Sequence, residues 1–414
     1  MLKIVIVGNG VAGLRTAESV RRLGHPDPIT VVGAETSFPY HRPMLSKTTL
    51  TQPTEPDAPP YVRPPSRIDE LGCDFRLGSL AVRLDPHSHS VLLADGTTLP
   101  WDRLVIATGV RPRPLPGTAH PRVYLLRTFE DALALRGALS RGRRAVVIGA
   151  GPLGSEVAAS AASLGLEVDL IEPLPQPMAR VVGLEIGTLV AREHRRHGVR
   201  LHLRRLVRRI QTEGDALVVH LDDGTTVAAD LVVVAVGSLP NIEWLSDSGL
   251  ELGDGVVCDP TGAASIDGVF AVGDVASMPR GPSPVPSRIE HWMHASDSAG
   301  MVAHNLFSHA GQRRTLVEPP YVWCDLYKLK LQVLGRPSPT DEMVFAKSSS
   351  DQQAFVSLFV DNGRVTAAAA LDRPRELMRC RELVRDGWTL ARAMADAPWN
   401  ENGADDTSHS ATST

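Results

Sequence analysis

A glycine-rich turn between a strand and a helix dominates the middle of the chain. Residues 144 to 172 read RAVVIGAGPLGSEVAASAASLGLEVDLIE, with Gly149, Gly151 and Gly154 in the turn. Glycines at this spacing allow a tight turn, the approach of a pyrophosphate and close packing of helix on strand. The helix N-terminus offers N–H groups to phosphates, and Glu172 at the end of the second strand can accept from ribose hydroxyls. The stretch predicts a dinucleotide-binding unit.

The N-terminal residues repeat this plan. Residues 2 to 35 read LKIVIVGNGVAGLRTAESVRRLGHPDPITVVGAE, with Gly8, Gly10 and Gly13 after the first strand and Glu35 after the second. One GxGxxG is weak evidence, but two copies, each after a strand and before a helix, are strong. Two dinucleotides on one chain suggest that electrons pass between them.

Composition limits the class of protein. The 414 residues suffice for two or three domains, and a net charge of −4 argues against nucleic acid as the main partner. No apolar run approaches the roughly 18–20 residues of a membrane span, and the N-terminus enters a core strand rather than a secretory signal. We therefore expect no membrane association and a cytoplasmic location. The four scattered cysteines lack a CxxC, which predicts reduced thiols and no metal site.

Several segments outside the glycine turns are candidates for ligand contact. Residues 38 to 47, FPYHRPMLSK, predict a loop that feeds a helix, and on spacing alone a surface loop and a cofactor contact are equally consistent. The runs LVIATG (104–109) and GVFAVGDVAS (268–277) predict buried strands that end in small-residue turns. Asp274 there is either a ligand group at a strand end or a helix cap. Residues 279 to 287 predict a second proline-rich loop.

The motifs GNGVAG, PYHRPMLSK, IATG, GAGPLGSEVA, AVGDVA, RIEHWMHA and VWCD, in this order, resemble the FAD-dependent NAD(P)H:ferredoxin reductases of the rubredoxin and putidaredoxin type. These enzymes serve cytochrome P450s and ring-hydroxylating dioxygenases, and the resemblance runs from about residue 2 to residue 396. It implies a glutathione reductase-like α/β fold with two Rossmann-like domains and a C-terminal α/β domain. The implied division is an FAD domain (1–113 and 243–316), an NAD domain (114–242), a C-terminal domain (317–400) and a disordered tail (401–414).

The resemblance also assigns site residues. The positions that match FAD contacts, including the first glycine turn, are Gly8, Gly10, Ala12, Gly13, Glu35, Arg42, Lys47, Val82, Ala107, Thr108, Gly109, Arg127, Gly273, Asp274 and Trp292. Those that match NADH contacts, including the second turn, are Gly149, Gly151, Leu153, Gly154, Glu156, Glu172, Arg180, Gly237 and Glu290. Lys47 and Glu156 are implied to form a buried catalytic pair beside the flavin N5.

Besides loop 51 to 66, which is unusually proline-rich, two short segments depart from the family pattern. Pro152 stands where an aromatic or aliphatic residue is usual. VWCDL replaces the commoner FWSDQ and brings in Val322, Cys324 and Leu326. Pro152 bears on the nicotinamide gate, and VWCDL, which lies near the flavin edge in the family, bears on partner choice.

The resemblance implies that hydride passes from nicotinamide to flavin, whose electrons then leave singly to an iron–sulfur ferredoxin. Residues 38 to 50 hold no cysteine for thiol chemistry. Glu172 favours NADH over NADPH because a carboxylate repels a 2′-phosphate, although Arg180 could pair with that phosphate. We expect a monomer or weak homodimer. Two alternatives remain: a flavoprotein oxidase or dehydrogenase component acting on a small molecule, and an NADH-sensing interaction protein of the apoptosis-inducing-factor type.

Overall fold

The computed structural model describes residues 1–115, 119–214, 216–280, 283–349 and 354–400. The predicted tail, 401–414, lies outside the described residues. Three five-stranded sheets organise the described chain, and smaller sheets and ten α-helices cover them. No helix in the described ranges is long and apolar enough to cross a membrane.

The first large sheet is parallel throughout and carries the N-terminal glycine turn. In spatial order its strands are β20 (Val269–Ala271), β7 (Arg103–Ile106), β1 (Ile4–Val7), β2 (Ile29–Val32) and β3 (Asp74–Arg76). Helices α1 (Val11–Arg22) and α7 (Trp292–Asn305) bury their apolar faces in the same core as this sheet. The strand order reverses between β1 and β7, which is where open α/β sheets bind ligands.

Shorter elements complete this part of the chain. They are the helices α2 (Thr48–Thr51) and α3 (Pro65–Asp69), the antiparallel sheet β4 (Ala81–Asp85), β5 (Ser90–Leu93) and β6 (Thr98–Pro100), and the sheet β18 (Leu252–Gly253), β19 (Gly255–Val257), β21 (Ala276–Arg280) and β22 (Ser283–Ser287).

The last two strands correct a prediction, because residues 279 to 287 were expected to form a loop. β21 and β22 instead pair as antiparallel strands. β22 lies at the edge of its sheet. An edge strand tolerates proline because the N–H groups on its open side need no partner strand.

The second large sheet is also parallel and carries the second glycine turn. Its strands in spatial order are β12 (Arg200–Leu203), β11 (Glu167–Glu172), β10 (Arg144–Ile148), β16 (Leu231–Val234) and β9 (Val123–Tyr124). The helices of this part are α4 (Phe129–Arg141), α5 (Pro152–Ser163) and α6 (Ala179–Arg196). A small antiparallel sheet also belongs to it, with strands β13 (Val207–Glu213), β14 (Ala216–Leu221) and β15 (Thr226–Ala229). The chain enters and leaves this part through β8 (Val110–Pro112) and β17 (Ser238–Pro240), which pair with each other.

The C-terminal part is a five-stranded antiparallel sheet with three short helices. Its elements are β23 (Tyr321–Leu326), β24 (Leu329–Gly335), β27 (Arg364–Leu371), β26 (Phe355–Asp361), β25 (Glu342–Ser348), α8 (Pro374–Arg379), α9 (Arg381–Arg385) and α10 (Leu390–Asp396). The predicted fold class, two dinucleotide-binding units and a C-terminal α/β part, is therefore confirmed. The residue numbers of the domain boundaries stay a prediction.

One segment of the first part packs into the core of the second. The side chains of Tyr40, Leu45 and Leu50 are buried in the same hydrophobic cluster as Phe129 of α4. Arg136 of α4 reinforces this contact by donating hydrogen bonds to the carbonyls that end α2: Thr49 at 3.1 Å, Leu50 at 3.3 Å and Gln52 at 2.7 Å. The segment that begins with PYHRPMLSK thus joins the two parts.

Candidate active site

A cavity of about 910 Å³ lies where the first sheet, the start of α5 and strand β23 meet. This volume falls in the range of small-molecule and cofactor sites. The assigned residues that line it are Gly8, Gly10, Ala12, Glu35, Arg42, Lys47, Val82, Ala107, Thr108, Gly109, Arg127, Leu153, Glu156, Asp274, Glu290 and Trp292. The structure therefore brings together most of the FAD-assigned set and three of the NADH-assigned residues.

The remaining assigned residues do not line this cavity: Gly13, Gly149, Gly151, Gly154, Glu172, Arg180, Gly237 and Gly273. Two of them support its wall, since a Cβ on Gly13 would lie 2.0 Å from the Gly8 carbonyl oxygen and one on Gly273 would lie 3.0 Å from the Ala12 Cβ. The others belong to the second glycine turn and its surroundings.

The first glycine turn is shaped for the close approach of a ligand. Gly8 has a φ of +125°, and a Cβ there would lie 2.0 Å from the carbonyl oxygen of Ala107. Gly10 differs, because a Cβ there would meet nothing within 4 Å and would project into open space beside the cavity. The main chain at Gly10 is thus left bare at the start of α1, where helix N–H groups attract phosphate.

Two arginines on the cavity wall lie close enough together to repel each other, although each has a carboxylate partner. Arg42 forms an ion pair with Glu35 and donates to the Arg127 carbonyl at 2.8 Å. Arg127 pairs with Asp274 at 3.1 Å. Burial and the neighbouring Arg42 charge lower the pKa of the Arg127 guanidinium. A diphosphate placed beside these two cations would relieve their repulsion, so the wall fits the pyrophosphate of a dinucleotide.

Lys47 and Glu156 form the expected pair where the two parts of the chain meet. The Lys47 Nζ lies 2.7 Å from Glu156 Oε2, and the side chains are only 15% and 7% exposed. Ser46 Oγ donates to the same oxygen at 2.6 Å, and the Asp325 main-chain N–H donates to Oε1 at 3.1 Å. Glu156 therefore holds the first part, helix α5 and strand β23 together.

The second glycine turn is hydrogen-bonded to Glu172, the acidic residue at the end of the following strand. Glu172 is buried, and its carboxylate accepts the N–H of Ala150 at 2.7 Å and of Leu174 at 3.0 Å. Arg180 lies exposed in the first turn of α6, and Gly237 is exposed at the crossing strand β17. The structure therefore places Glu172 beside the second turn, and none of Glu172, Arg180 and Gly237 lines the cavity.

Pro152 and the VWCDL segment, which both depart from the family pattern, contact each other at the cavity rim. Val322 and Trp323 line the cavity, as do Pro152 and Leu153. The buried Cys324 Sγ donates to the Pro152 carbonyl at 3.6 Å. Burial and the neighbouring Glu156 raise the pKa of the Cys324 thiol, so it stays protonated.

Sequence reasoning missed several residues of the site. Ser46 donates to Glu156 and Tyr40 donates to Glu35, and both residues occur in the PYHRPMLSK motif. Arg288 donates to Glu290 at 2.7 Å and to the Asp274 carbonyl at 3.0 Å, and its signal is the motif RIEHW. Trp244 also lines the cavity, and no motif indicated it.

The fold and the site define the class of protein. The first glycine turn and the helix that follows the second glycine turn border one cavity, and a buried lysine–glutamate pair lies where the two units meet. Within the described ranges, no three His, Cys, Asp or Glu side chains form a group that could hold a metal ion. This is the architecture of an oxidoreductase that binds two dinucleotides.

Comparison with known proteins is consistent with this class. Residues 2–299 match the family described as pyridine nucleotide-disulphide oxidoreductase, and residues 321–399 match the reductase C-terminal family. The ferredoxin–NAD(+) reductase component of the p-cumate 2,3-dioxygenase system of Pseudomonas putida is 36% identical over 92% of this chain and 93% of that protein.

Solved structures give the same result. The ferredoxin reductase for the CYP199A2 system from Rhodopseudomonas palustris superposes with a TM-score of 0.90 at 32% identity, over 97% of this chain and 98% of that one. The covalent putidaredoxin reductase–putidaredoxin complex matches with a TM-score of 0.88 at 30% identity, over 97% and 99%. The chain belongs to the ferredoxin reductases of the pyridine nucleotide-disulphide oxidoreductase family. The family implies FAD and NAD(P)H as the two dinucleotides.

Proposed function

We propose that this protein is an FAD-dependent NADH:ferredoxin reductase that supplies single electrons to an iron–sulfur ferredoxin, and through it to a cytochrome P450 or ring-hydroxylating dioxygenase. The observation that carries the proposal is the likeness to ferredoxin reductases over 92% of the chain. This likeness extends over the C-terminal part, whose strand β23 contributes Val322 and Trp323 to the cavity lining.

The cavity is the proposed FAD site. Gly8, Gly10 and the start of α1 would take the pyrophosphate together with Arg42 and Arg127, and Glu35 would accept from the adenosine ribose. Ala107, Thr108, Gly109, Asp274 and Trp292 would line the remainder of the flavin dinucleotide, with Gly13 and Gly273 supporting the wall. The division into FAD, NAD and C-terminal domains and the cytoplasmic location are parts of the same proposal.

The second glycine turn is the proposed nucleotide site. Gly149, Gly151 and Gly154 would receive the pyrophosphate of NADH, and Leu153 and Glu290 would border the nicotinamide where they line the shared cavity. NADH is the proposed donor because the Glu172 carboxylate beside the turn would repel the 2′-phosphate of NADPH. Arg180 and Gly237 belong to the outer part of this site.

Lys47 and Glu156 have the central role among the side chains. FAD, when bound, supplies the chemistry that accepts a hydride from nicotinamide and releases electrons one at a time. The protein would hold the rings in position, and the ion pair would fix a charged group at a defined place beside them. Ser46 and the Asp325 N–H keep the Glu156 carboxylate from rotating away from Lys47.

Electrons leave at the rim formed by Val322 and Trp323. No cysteine is among the described residues that line the cavity, and the nearby Cys324 thiol is buried with a raised pKa, so it is not a reactive thiolate. A ferredoxin docked at this rim would receive them directly. Docking of this kind is steered by charge and weakens as salt screens it.

Ferredoxin-dependent turnover tests this function. Reduction of cytochrome c by NADH should be slow with the purified protein alone and should rise strongly when a [2Fe–2S] ferredoxin of the source organism is added. Salt at ~0.5 M should suppress the gain, because the Debye length then falls below roughly 5 Å. Trp323→Ala should lower this rate more than it lowers ferricyanide reduction, which requires no docking.

The alternatives predict other outcomes. Full turnover with O₂ or a quinone, without stimulation by any ferredoxin of the organism, would replace the proposal with an oxidase. A long-lived NADH complex accompanied by a change of oligomeric state would favour the sensing protein. A protein that is purified with FMN as its flavin, or that refuses FAD, would contradict the FAD site itself.

A further inference from the structure

Tyr40 lies behind the cavity wall and reaches two of its charged residues. Its side chain is only 4% exposed, and it does not line the cavity. Its hydroxyl donates to Glu35 Oε2 and accepts from Arg42 Nη1 at 2.9 Å. Glu35 and Arg42 also pair directly with each other, so the three side chains form a closed triangle.

The third partner of the hydroxyl belongs to the other dinucleotide unit. The main-chain N–H of Phe129 donates to the Tyr40 oxygen at 3.1 Å. Phe129 is the first residue of α4, and the first N–H groups of a helix have no partner within the helix. Tyr40 supplies that partner from outside, beyond the cap that Thr128 provides for Asp131.

These contacts use the full capacity of the hydroxyl, which has one donor and two acceptor positions. Its orientation is therefore determined: the proton points to Glu35 because both lone pairs accept from Arg42 and Phe129. Burial, with a further contribution from Glu35 and against the effect of Arg42, raises the pKa of Tyr40 above its ordinary value. The hydroxyl consequently remains a donor to the carboxylate throughout the working pH range.

We propose that Tyr40 is a positioning residue that fixes Glu35 and Arg42 for the adenosine diphosphate half of FAD and ties this geometry to the start of α4. The inference rests on the proposed function, because Glu35 and Arg42 matter only if the cavity holds a dinucleotide. Tyr40 touches no ligand itself. Its effect would pass through the orientation of the carboxylate and the guanidinium, so the inference predicts no change in how the flavin half of the cofactor is bound.

Tyr40→Phe removes the hydroxyl and keeps the buried ring, and Tyr61→Phe is the matched control. Tyr61 packs against the same hydrophobic cluster and forms a β-bridge with Tyr40. Apoprotein of each variant is titrated calorimetrically with FAD, with ADP as a probe of the adenosine half, and with FMN, which lacks that half. Far-UV circular dichroism and the thermal midpoint of each apoprotein report whether it is folded.

We expect Tyr40→Phe to raise the Kd of FAD and of ADP by roughly tenfold, which corresponds to about 1.4 kcal/mol. FMN binding should not change, and Tyr61→Phe should match the wild type with all three ligands. In a double-mutant cycle, Glu35→Gln and Tyr40→Phe should be far from additive for FAD, because both remove the same interaction.

Three results would overturn the inference. They are an unchanged FAD Kd in Tyr40→Phe, equal losses for FAD and FMN as expected of a purely structural role, and full additivity with Glu35→Gln. A wild-type protein that fails to bind FAD would instead overturn the proposed function, so the two failures are distinguishable.

Discussion

The two glycine-turn units share their main-chain geometry and differ in what their terminal acids contact. A Cβ on Gly8 or Gly149 would lie 2.0 Å or 2.3 Å from the carbonyl of a neighbouring strand end, and one on Gly10 or Gly151 would meet nothing within 4 Å. Glu35, however, is held by side chains and faces the cavity. Glu172 is held by main-chain N–H groups beside its own turn.

The difference separates a site whose acid faces the cavity from one whose acid is bound to its own turn. The first unit borders a cavity with charged groups already in place, as suits a cofactor that stays bound. The second unit contributes only its helix start to that cavity, and its acid stabilises the turn. A shared motif thus sets the phosphate-binding geometry, and the surrounding side chains decide how open the site is before the ligand arrives.

Gly13→Ala and Gly154→Ala test this comparison with the largest expected effect. A Cβ at residue 13 would lie 2.0 Å from the Gly8 carbonyl oxygen, and one at residue 154 would lie 1.9 Å from the Gly149 carbonyl oxygen. The main chain cannot relieve either clash without moving. Gly13→Ala should weaken FAD binding at least ~100-fold, or about 2.7 kcal/mol. The Gly154→Ala variant should retain bound FAD, and its affinity for NADH should fall to a similar degree.

Gly300→Ala is the control for these substitutions. A Cβ on this helical glycine would have no neighbouring atom closer than 4.0 Å, and alanine is a better helix former than glycine. The variant should bind both ligands like the wild type. Loss of FAD in both turn variants would mean that the two units do not act separately.

Lys47→Ala tests the junction of the two units. The substitution leaves the Glu156 carboxylate buried without its cation, which typically costs ~3–5 kcal/mol. We expect slower flavin reduction by NADH in stopped flow and weaker retention of FAD, and Lys47→Arg should rescue only part of the loss because its head group differs in shape. Lys3→Ala, on an exposed lysine, is the control. An unchanged reduction rate would remove Lys47 from the site.

Low pH should reduce the folding stability of the second unit because His194 of α6 then becomes protonated. This side chain is buried and bonds Tyr327 of the C-terminal part at 2.9 Å. Burial, with the nearby His197, lowers the pKa of His194 to about 4. Because the folded form then binds its proton less readily than the unfolded chain, stability should fall as pH drops from about 6.5 toward 4, by about 2 kcal/mol at pH 5.

Urea unfolding of the wild type and of His194→Gln at pH 7 and pH 5 measures this loss. The variant should lose less stability on acidification, since it has no proton to gain at this position. Equal losses in the two proteins would show that His194 does not titrate in this range.

Glu172→Ala should have the smallest effect. We expect the ratio of kcat/KM for NADH over NADPH to fall by roughly tenfold, or about 1.4 kcal/mol, because the repulsion of the 2′-phosphate is removed. Glu35→Ala is the comparison, and it should weaken FAD binding without changing the choice of donor. Equal use of both donors by the wild type would contradict the role given to Glu172.

Local sequence patterns predicted the elements, and long-range contacts decided the details of the site. Both glycine turns, their strands and helices, and the β-rich C-terminal part follow from spacing and hydrophobic pattern. The partners of Glu156 could not be predicted in this way, because Ser46 and Asp325 lie 110 and 169 residues away along the chain. The β22 strand was missed because its prolines favour a loop locally, while its position at a sheet edge tolerates them.

The buried segment around Tyr40, Leu45 and Leu50 has a consequence for recombination between related genes. A crossover placed anywhere between this segment and α4 would pack apolar side chains from one parent against a hydrophobic core from the other. Exchange of the nucleotide half alone should therefore give poorly folded chimeras. An exchange that carries residues 38 to 52 together with the nucleotide half keeps the interlocked surfaces from one parent and should fold.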